Sequence, residues 1–129
     1  MITHTEDPVR VVMTTPVVSL DRDTTLRTAA MVMRDKAIGA VAVIGRRGLI
    51  GIVSERDLVR SMADGLDPDL LGIGAVMSES LQPVDAGASL REAADMMIEL
   101  GVRHLPVVVG DEVVGMLSIR DALGGLCAP

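Results

Sequence analysis

The chain contains no phenylalanine, tyrosine or tryptophan, and that absence already closes off one class of function. Proteins that hold single-stranded nucleic acid do so largely by stacking bases on aromatic rings, which this chain cannot do. Lysine is nearly missing as well, since eleven of the twelve basic residues are arginine and only Lys36 is lysine. Eighteen acidic residues outweigh them and leave a net charge of −6, so the basic field that phosphate-backbone binding requires is absent. The single cysteine, Cys127, can form no intramolecular disulfide, and the two histidines, His4 and His104, lack ligand-like spacing. No apolar run approaches the roughly 20 residues of a membrane span, and the N-terminus lacks a basic-then-apolar signal pattern. The expectation is a cytoplasmic protein that takes no nucleic acid, membrane or metal as partner.

What is present is aliphatic and repetitive. Of the 129 residues, 49% are hydrophobic, which excludes disorder and requires a core of aliphatic side chains and methionine. Laid on itself so that Val12 meets Val76, the chain superposes Val12–Val59 on Val76–Leu123 without a gap, and 13 of the 48 pairs are identical. They include Val12/Val76, Met13/Met77, Asp21/Asp85, Leu26/Leu90, Gly51/Gly115, Ser54/Ser118 and Asp57/Asp121. A duplication of this quality is the dominant fact about the fold.

Both copies carry the same signals. An extended stretch, Val17–Leu20 or Leu81–Val84, leads to a helix start. In the second copy that start is a Ser89–Glu92 capping box; in the first, Thr24 or Thr25 can cap. The helices place Leu26, Ala29, Ala30 and Met33, or Leu90, Ala93, Ala94 and Met97, at the spacing of a buried stripe, and end near Gly39 or Gly101. Two β-rich runs follow, Ala40–Ile44 with Leu49–Val53 and Leu105–Val109 with Val113–Leu117, joined by short turns that predict hairpins. A second helix opens at Ser54 or Ser118. The expected fold class is α/β (α+β): two β-α-β-β-α repeats packed around a pseudo-two-fold axis. We expect an N-terminal extension over 1–11, repeat 1 over 12–60, a linker over 61–75 with one helical turn at Leu70–Leu71, repeat 2 over 76–123 and a tail over 124–129.

These residues resemble a pair of cystathionine β-synthase (CBS) domains, the tandem unit called a Bateman module. The likeness lies in the repeated Val-Met-Thr/Ser lead-in and the strands Ile38-Gly39-Ala40-Val41 and Val102-Arg103-His104-Leu105-Pro106-Val107. It lies above all in the endings Gly51-Ile52-Val53-Ser54-Glu55-Arg56-Asp57 and Gly115-Met116-Leu117-Ser118-Ile119-Arg120-Asp121. The resemblance implies adenosyl ligands (AMP, ADP, ATP, S-adenosylmethionine or NAD-type compounds) held in clefts between the repeats as regulatory ligands, with no cofactor required. It implies that Asp57 and Asp121 hold ribose hydroxyls, with Ser54 and Ser118 beside them. This is chemically reasonable, because a carboxylate accepts two hydrogen bonds from a vicinal diol and a helix N-terminus suits phosphate. The glycine before each motif would let backbone approach the ligand. By the same resemblance Asp121 and Ser118 would work with Thr14, Val18, Ile38, Gly39 and Ala40, and Asp57 and Ser54 with Ser78, Gln82, Val102, Arg103 and His104. Basic Arg103 and His104 would reach phosphates, whereas the first copy has Gly39 and Ala40 in their place, so two such sites would not bind equally.

A strand followed by Ser-x-x-Asp is also an ordinary N-cap with an acidic third residue, and that reading stands beside the ligand reading. Arg56 and Arg120 are expected to pair with helix-surface carboxylates. Met31, Val32, Met96 and Ile98 lie off the main stripes and suggest a second apolar face, hence a homodimer. No catalytic set, Walker motif or Rossmann glycine pattern is present, which speaks against an enzyme. About eleven residues precede the repeat and six follow it, so the expectation is a stand-alone regulatory or stress-associated sensor acting on an unknown effector protein. The alternative is a ligand-free interaction or scaffold protein.

Overall fold

The computed structural model describes residues 5–79 and 82–127. Residues 1–17 with 82–129 form one compact unit, here called unit 1, and residues 18–81 form unit 2. His4 lies outside the described residues, as do Leu81, the first residue of one expected strand, and the side chain of Cys127.

Unit 2 contains β1 (Ser19–Asp21), α1 (Leu26–Lys36), β2 (Ala40–Gly45), β3 (Gly48–Ser54) and α2 (Glu55–Ala63). Unit 1 contains the same series: β4 (Val84–Asp85), α3 (Leu90–Leu100), β5 (His104–Val109), β6 (Glu112–Ser118) and α4 (Ile119–Cys127). In each unit the first strand runs parallel to the second, and the second and third form an antiparallel hairpin. The register slips at Val43/Ile44 and again at Val107/Val108; these are equivalent positions of the two copies, so the duplication reproduces even the irregularity. The identical pair Asp21/Asp85 has a local cause too. Each carboxylate accepts the backbone N–H two residues on, Asp23 in one copy and Gly87 in the other, both at 2.9 Å, which closes the turn leading to the helix.

Helix starts follow the sequence signals in part. Thr25 caps α1 by accepting the Thr28 N–H, and Ser89 caps α3 by accepting the Glu92 N–H. The complete reciprocal box is elsewhere, at Ser54–Asp57 on α2. Gly101 ends α3 in the left-handed conformation that favours glycine, but in the first copy Ala37 takes that conformation, with φ 54° and ψ 45°, and not Gly39. Of the expected stripes, Leu26, Ala29, Met33, Leu90, Ala93 and Met97 are buried. Ala30 faces solvent and Ala94 is half-buried, because each helix packs against its sheet along a band narrower than four residues per two turns.

Residues 5–13 are more than an extension and residues 66–77 more than a linker. Val9–Val11 and Ile73–Ala75 are matching 3₁₀ turns, and Val9 and Ile73 are fully buried, one in each core. The Leu90 N–H donates to Asp7 O at 2.9 Å and the Leu26 N–H to Leu71 O at 3.0 Å, so in each unit this stretch caps the first turn of a helix. Leu70 and Leu71 do form a turn, both N–H groups donating to Asp67 O, and the 3₁₀ turn follows it. The partnership is exchanged: the stretch preceding copy 1 packs in the core of copy 2's α3 and sheet, and the stretch preceding copy 2 packs with α1 and the sheet of copy 1.

Candidate functional site

The exchanged lead-in brings Thr14 to the second Ser-x-x-Asp motif. Backbone bonds Thr14 N–H to Met116 O (2.8 Å) and Met116 N–H to Thr14 O (3.0 Å) lay the segment along β6. The Thr14 hydroxyl then reaches Asp121, Oγ1 to Oδ2 at 3.5 Å, and Thr15 adds a bond from its hydroxyl to Val114 O at 3.0 Å. In unit 2 the corresponding Ser78 exchanges backbone bonds with Ile52 at 3.1 and 2.8 Å.

Gly115 and Gly51 make these approaches possible. A Cβ at Gly115 would lie 2.7 Å from the Met13 sulfur and 2.8 Å from Thr14 O, and a Cβ at Gly51 would lie 2.8 Å from Met77 Cγ and 3.0 Å from Ser78 O. What comes close to each glycine is the lead-in segment of the other copy, where the sequence pattern points to a ligand.

Helices α2 and α4 begin in parallel fashion. Glu55 N–H donates to Gly39 O at 2.9 Å and Ile119 N–H to Arg103 O at 2.7 Å. Asp57 N–H donates to Ser54 Oγ at 3.3 Å and Asp121 N–H to Ser118 Oγ at 3.0 Å. The first and third N–H groups of both helices therefore have partners, which narrows what these helix starts offer a phosphate. The carboxylates differ. Asp57 Oδ2 accepts from both the Ser54 N–H (2.9 Å) and the Ser54 hydroxyl (3.1 Å), whereas Asp121 Oδ2 faces Thr14. All four motif side chains are half-buried.

The remaining expected contacts fall as follows. Ile38, Gly39 and Ala40 stand with Ser54 and Asp57 in unit 2, Ala40 opposite Ser54 in the hairpin. Val102, Arg103 and His104 stand with Ser118 and Asp121 in unit 1, His104 opposite Ser118. Val18 O accepts the Ala42 N–H at 2.9 Å beside β1, and Gln82 and Ser78 are exposed. Sequence reasoning missed Gly115 and Met13 as a contact that builds the site; the signal was their identity with Gly51 and Met77.

Ion pairs among the described residues are Arg27–Asp69, Arg34–Asp35 and Arg91–Glu6. Arg56 and Arg120, expected to pair, are exposed and take no part in them, since a solvated pair returns too little to fix two long side chains. The Arg27 guanidinium holds the Asp69 carboxyl below its ordinary range, first through the hydrogen bond and then through its charge. Of the apolar set off the stripes, Val32 and Met96 pack against their own cores, while Met31 and Ile98 are exposed.

A duplicated β-α-β-β-α chain with exchanged lead-ins and a Gly-h-h-Ser-x-x-Asp ending in each copy defines a tandem repeat module. Residues 9–64 and 73–127 each match the CBS domain model, and the chain belongs to the CBS-domain family. Hypoxic response protein 1 of Mycobacterium tuberculosis is 35% identical over 114 residues, 87% of this chain and 80% of that protein. A crystal structure of Hypoxic Response Protein I with two coordinated zinc ions superposes with a TM-score of 0.78 at 33% identity, covering 92% of this chain and 98% of the other. The CBS domain pair of protein MJ0100, solved with 5′-methylthioadenosine and S-adenosyl-L-methionine, shares the fold at a TM-score of 0.79 and 18% identity, over 88% and 90% of the two chains. Among the described residues of the present chain no three His, Cys, Asp or Glu side chains converge as metal ligands. No described helix is long and apolar enough to cross a membrane.

Proposed function

We propose that this protein is a regulatory module, not an enzyme, that binds an adenosyl ligand and signals by a change of module geometry. The observation that carries the reading is the cluster of Thr14, Ser118 and Asp121, where a half-buried carboxylate faces a hydroxyl. A carboxylate so placed can exchange that hydroxyl for the hydroxyls of a ribose. Arg103, one residue before β5, supplies the positive charge that favours a phosphorylated ligand. In unit 2 the Ser54–Asp57 motif closes on itself through the Ser54 N–H and hydroxyl, and no cation stands at the strand start, where the residues are Gly39 and Ala40. With no phenylalanine, tyrosine or tryptophan in the chain, adenine lies against aliphatic side chains such as Val102, together with backbone groups.

Exposed Met31, Val59, Met62, Ile98 and Leu123 on the four helices support homodimerisation, and with it the second reading, a scaffold. One experiment separates the readings. Without tyrosine or tryptophan the protein barely absorbs in the near ultraviolet, so a co-purified nucleotide shows as a clear adenine band. A ligand-free spectrum followed by null titrations with AMP, ATP and S-adenosylmethionine leaves the scaffold.

A further inference from the structure

We propose that the two copies of the motif have divided their work: Asp57 is a helix cap in permanent use, and Asp121 alone takes a ribose diol, so that one chain carries one adenosyl ligand. The inference rests on the adenosyl reading above and sharpens it.

Three observations point the same way. The first is the state of the Asp57 carboxylate. Its Oδ2 already accepts two bonds from Ser54, while Ser54 Oγ accepts the Asp57 N–H. A diol taking that oxygen would have to displace the Ser54 N–H and the Ser54 hydroxyl, breaking the reciprocal cap at the start of α2. Asp121 instead holds a neutral hydroxyl at 3.5 Å, near the limit of a hydrogen bond, and a better donor replaces it at little cost.

The second is Ser61, which is buried with 4% of its surface exposed and donates its hydroxyl to Asp57 O at 2.7 Å. It ties the main chain of Asp57 one turn further into α2. Its counterpart when the alignment of the two copies is continued is Gly125, which has no hydroxyl to donate.

The third is charge. Unit 1 places Arg103 and His104 at the strand end beside Ser118, where unit 2 has Gly39 and Ala40. Arg103, whose carbonyl accepts the Ile119 N–H at the start of α4, brings a guanidinium to the segment that meets the Asp121 motif, and its counterpart Gly39 carries no charge.

Calorimetric titration of the full chain with AMP and with S-adenosylmethionine, and melting of the ligand-free protein, test the division. We expect one bound ligand per chain. Asp121→Ala should weaken binding more than about tenfold with little change in melting. Asp57→Ala should leave affinity within about twofold but lower the ligand-free midpoint by about 3–6 °C, and Asp57→Asn, which keeps an oxygen for the Ser54 N–H, should restore most of that loss. Two ligands per chain, or a tenfold loss of affinity in Asp57→Asn, overturns the proposal. So does ligand-free Asp57→Ala melting no lower than Asp121→Ala. If the wild type binds neither probe, the adenosyl reading and the Asp121 assignment fall together. The melting comparison, made without ligand, then shows separately whether Asp57 is the cap.

Discussion

Ala37 sits at φ 54° and ψ 45° at the end of α1, while its counterpart Gly101 takes the same region with no Cβ to clash. An L-residue there carries a steric cost that glycine avoids. Ala37→Gly is therefore expected to stabilise the protein by about 0.5–1 kcal/mol, read as a rise in the denaturant midpoint at unchanged slope. Gly115 presents the reverse case. Added bulk would press on the Met13 sulfur and on a backbone oxygen that cannot swing away, so Gly115→Ala should cost about 1–3 kcal/mol and move Thr14 off Asp121. A variant as stable as wild type would show that the lead-in yields easily and that the glycine is not there for this contact. The identities Gly51/Gly115, Ser54/Ser118 and Asp57/Asp121 were visible in the sequence. What each carboxylate bonds was not, because identical letters accept different partners once neighbours such as Thr14 and Ser61 are placed.

At the scale of elements, α1 and its counterpart α3 show how a local signal is completed from afar. Both have a threonine or serine cap, and both rely on backbone carbonyls from a segment remote in the chain, Pro68 and Leu71 for α1 and Thr5 and Asp7 for α3. Arg27 adds a side-chain link to the same segment, its Nη2 to Asp69 Oδ2 at 3.0 Å. The pair lowers the Asp69 pKa, so its contribution is present above the ordinary aspartate range and is lost as pH falls through the depressed value. Both side chains are largely exposed, and the effect is small and screened. Comparing wild type with Arg27→Gln should show a stability difference at neutral pH that vanishes in acid and in high salt; a difference indifferent to both would mean that Arg27 acts by packing. Strands and hairpins were legible from alternation and turn residues, and helix N-termini from their caps. The end of α1 near Gly39 was legible, but not that Ala37 takes the left-handed position, because no residue type other than glycine marks it in sequence.

For the whole molecule, the units do not coincide with the repeats of the sequence: residues 5–13 complete the second repeat and residues 66–77 the first. Ile73 lies among glycines in a stretch that reads as a linker, yet it is fully buried. Ile73→Ala should cost about 2–5 kcal/mol, measured by denaturant unfolding, where a true linker residue would cost almost nothing. Val9 occupies the same place in unit 1, and Val9→Ala should weaken that unit in the same way.

The sequence by itself determined the duplication, the order of elements, the aliphatic core and the family, because these follow from patterns local to the chain: periodicity, caps, turns and a motif that recurs at the same place in both copies. Only the tertiary structure decided that the lead-ins are exchanged, that Gly51 and Gly115 admit protein, and that Asp57 and Asp121 are differently engaged. Those facts depend on which distant segments meet, and a hydrogen bond between residues 107 positions apart, such as Thr14 to Asp121, leaves no trace in local pattern.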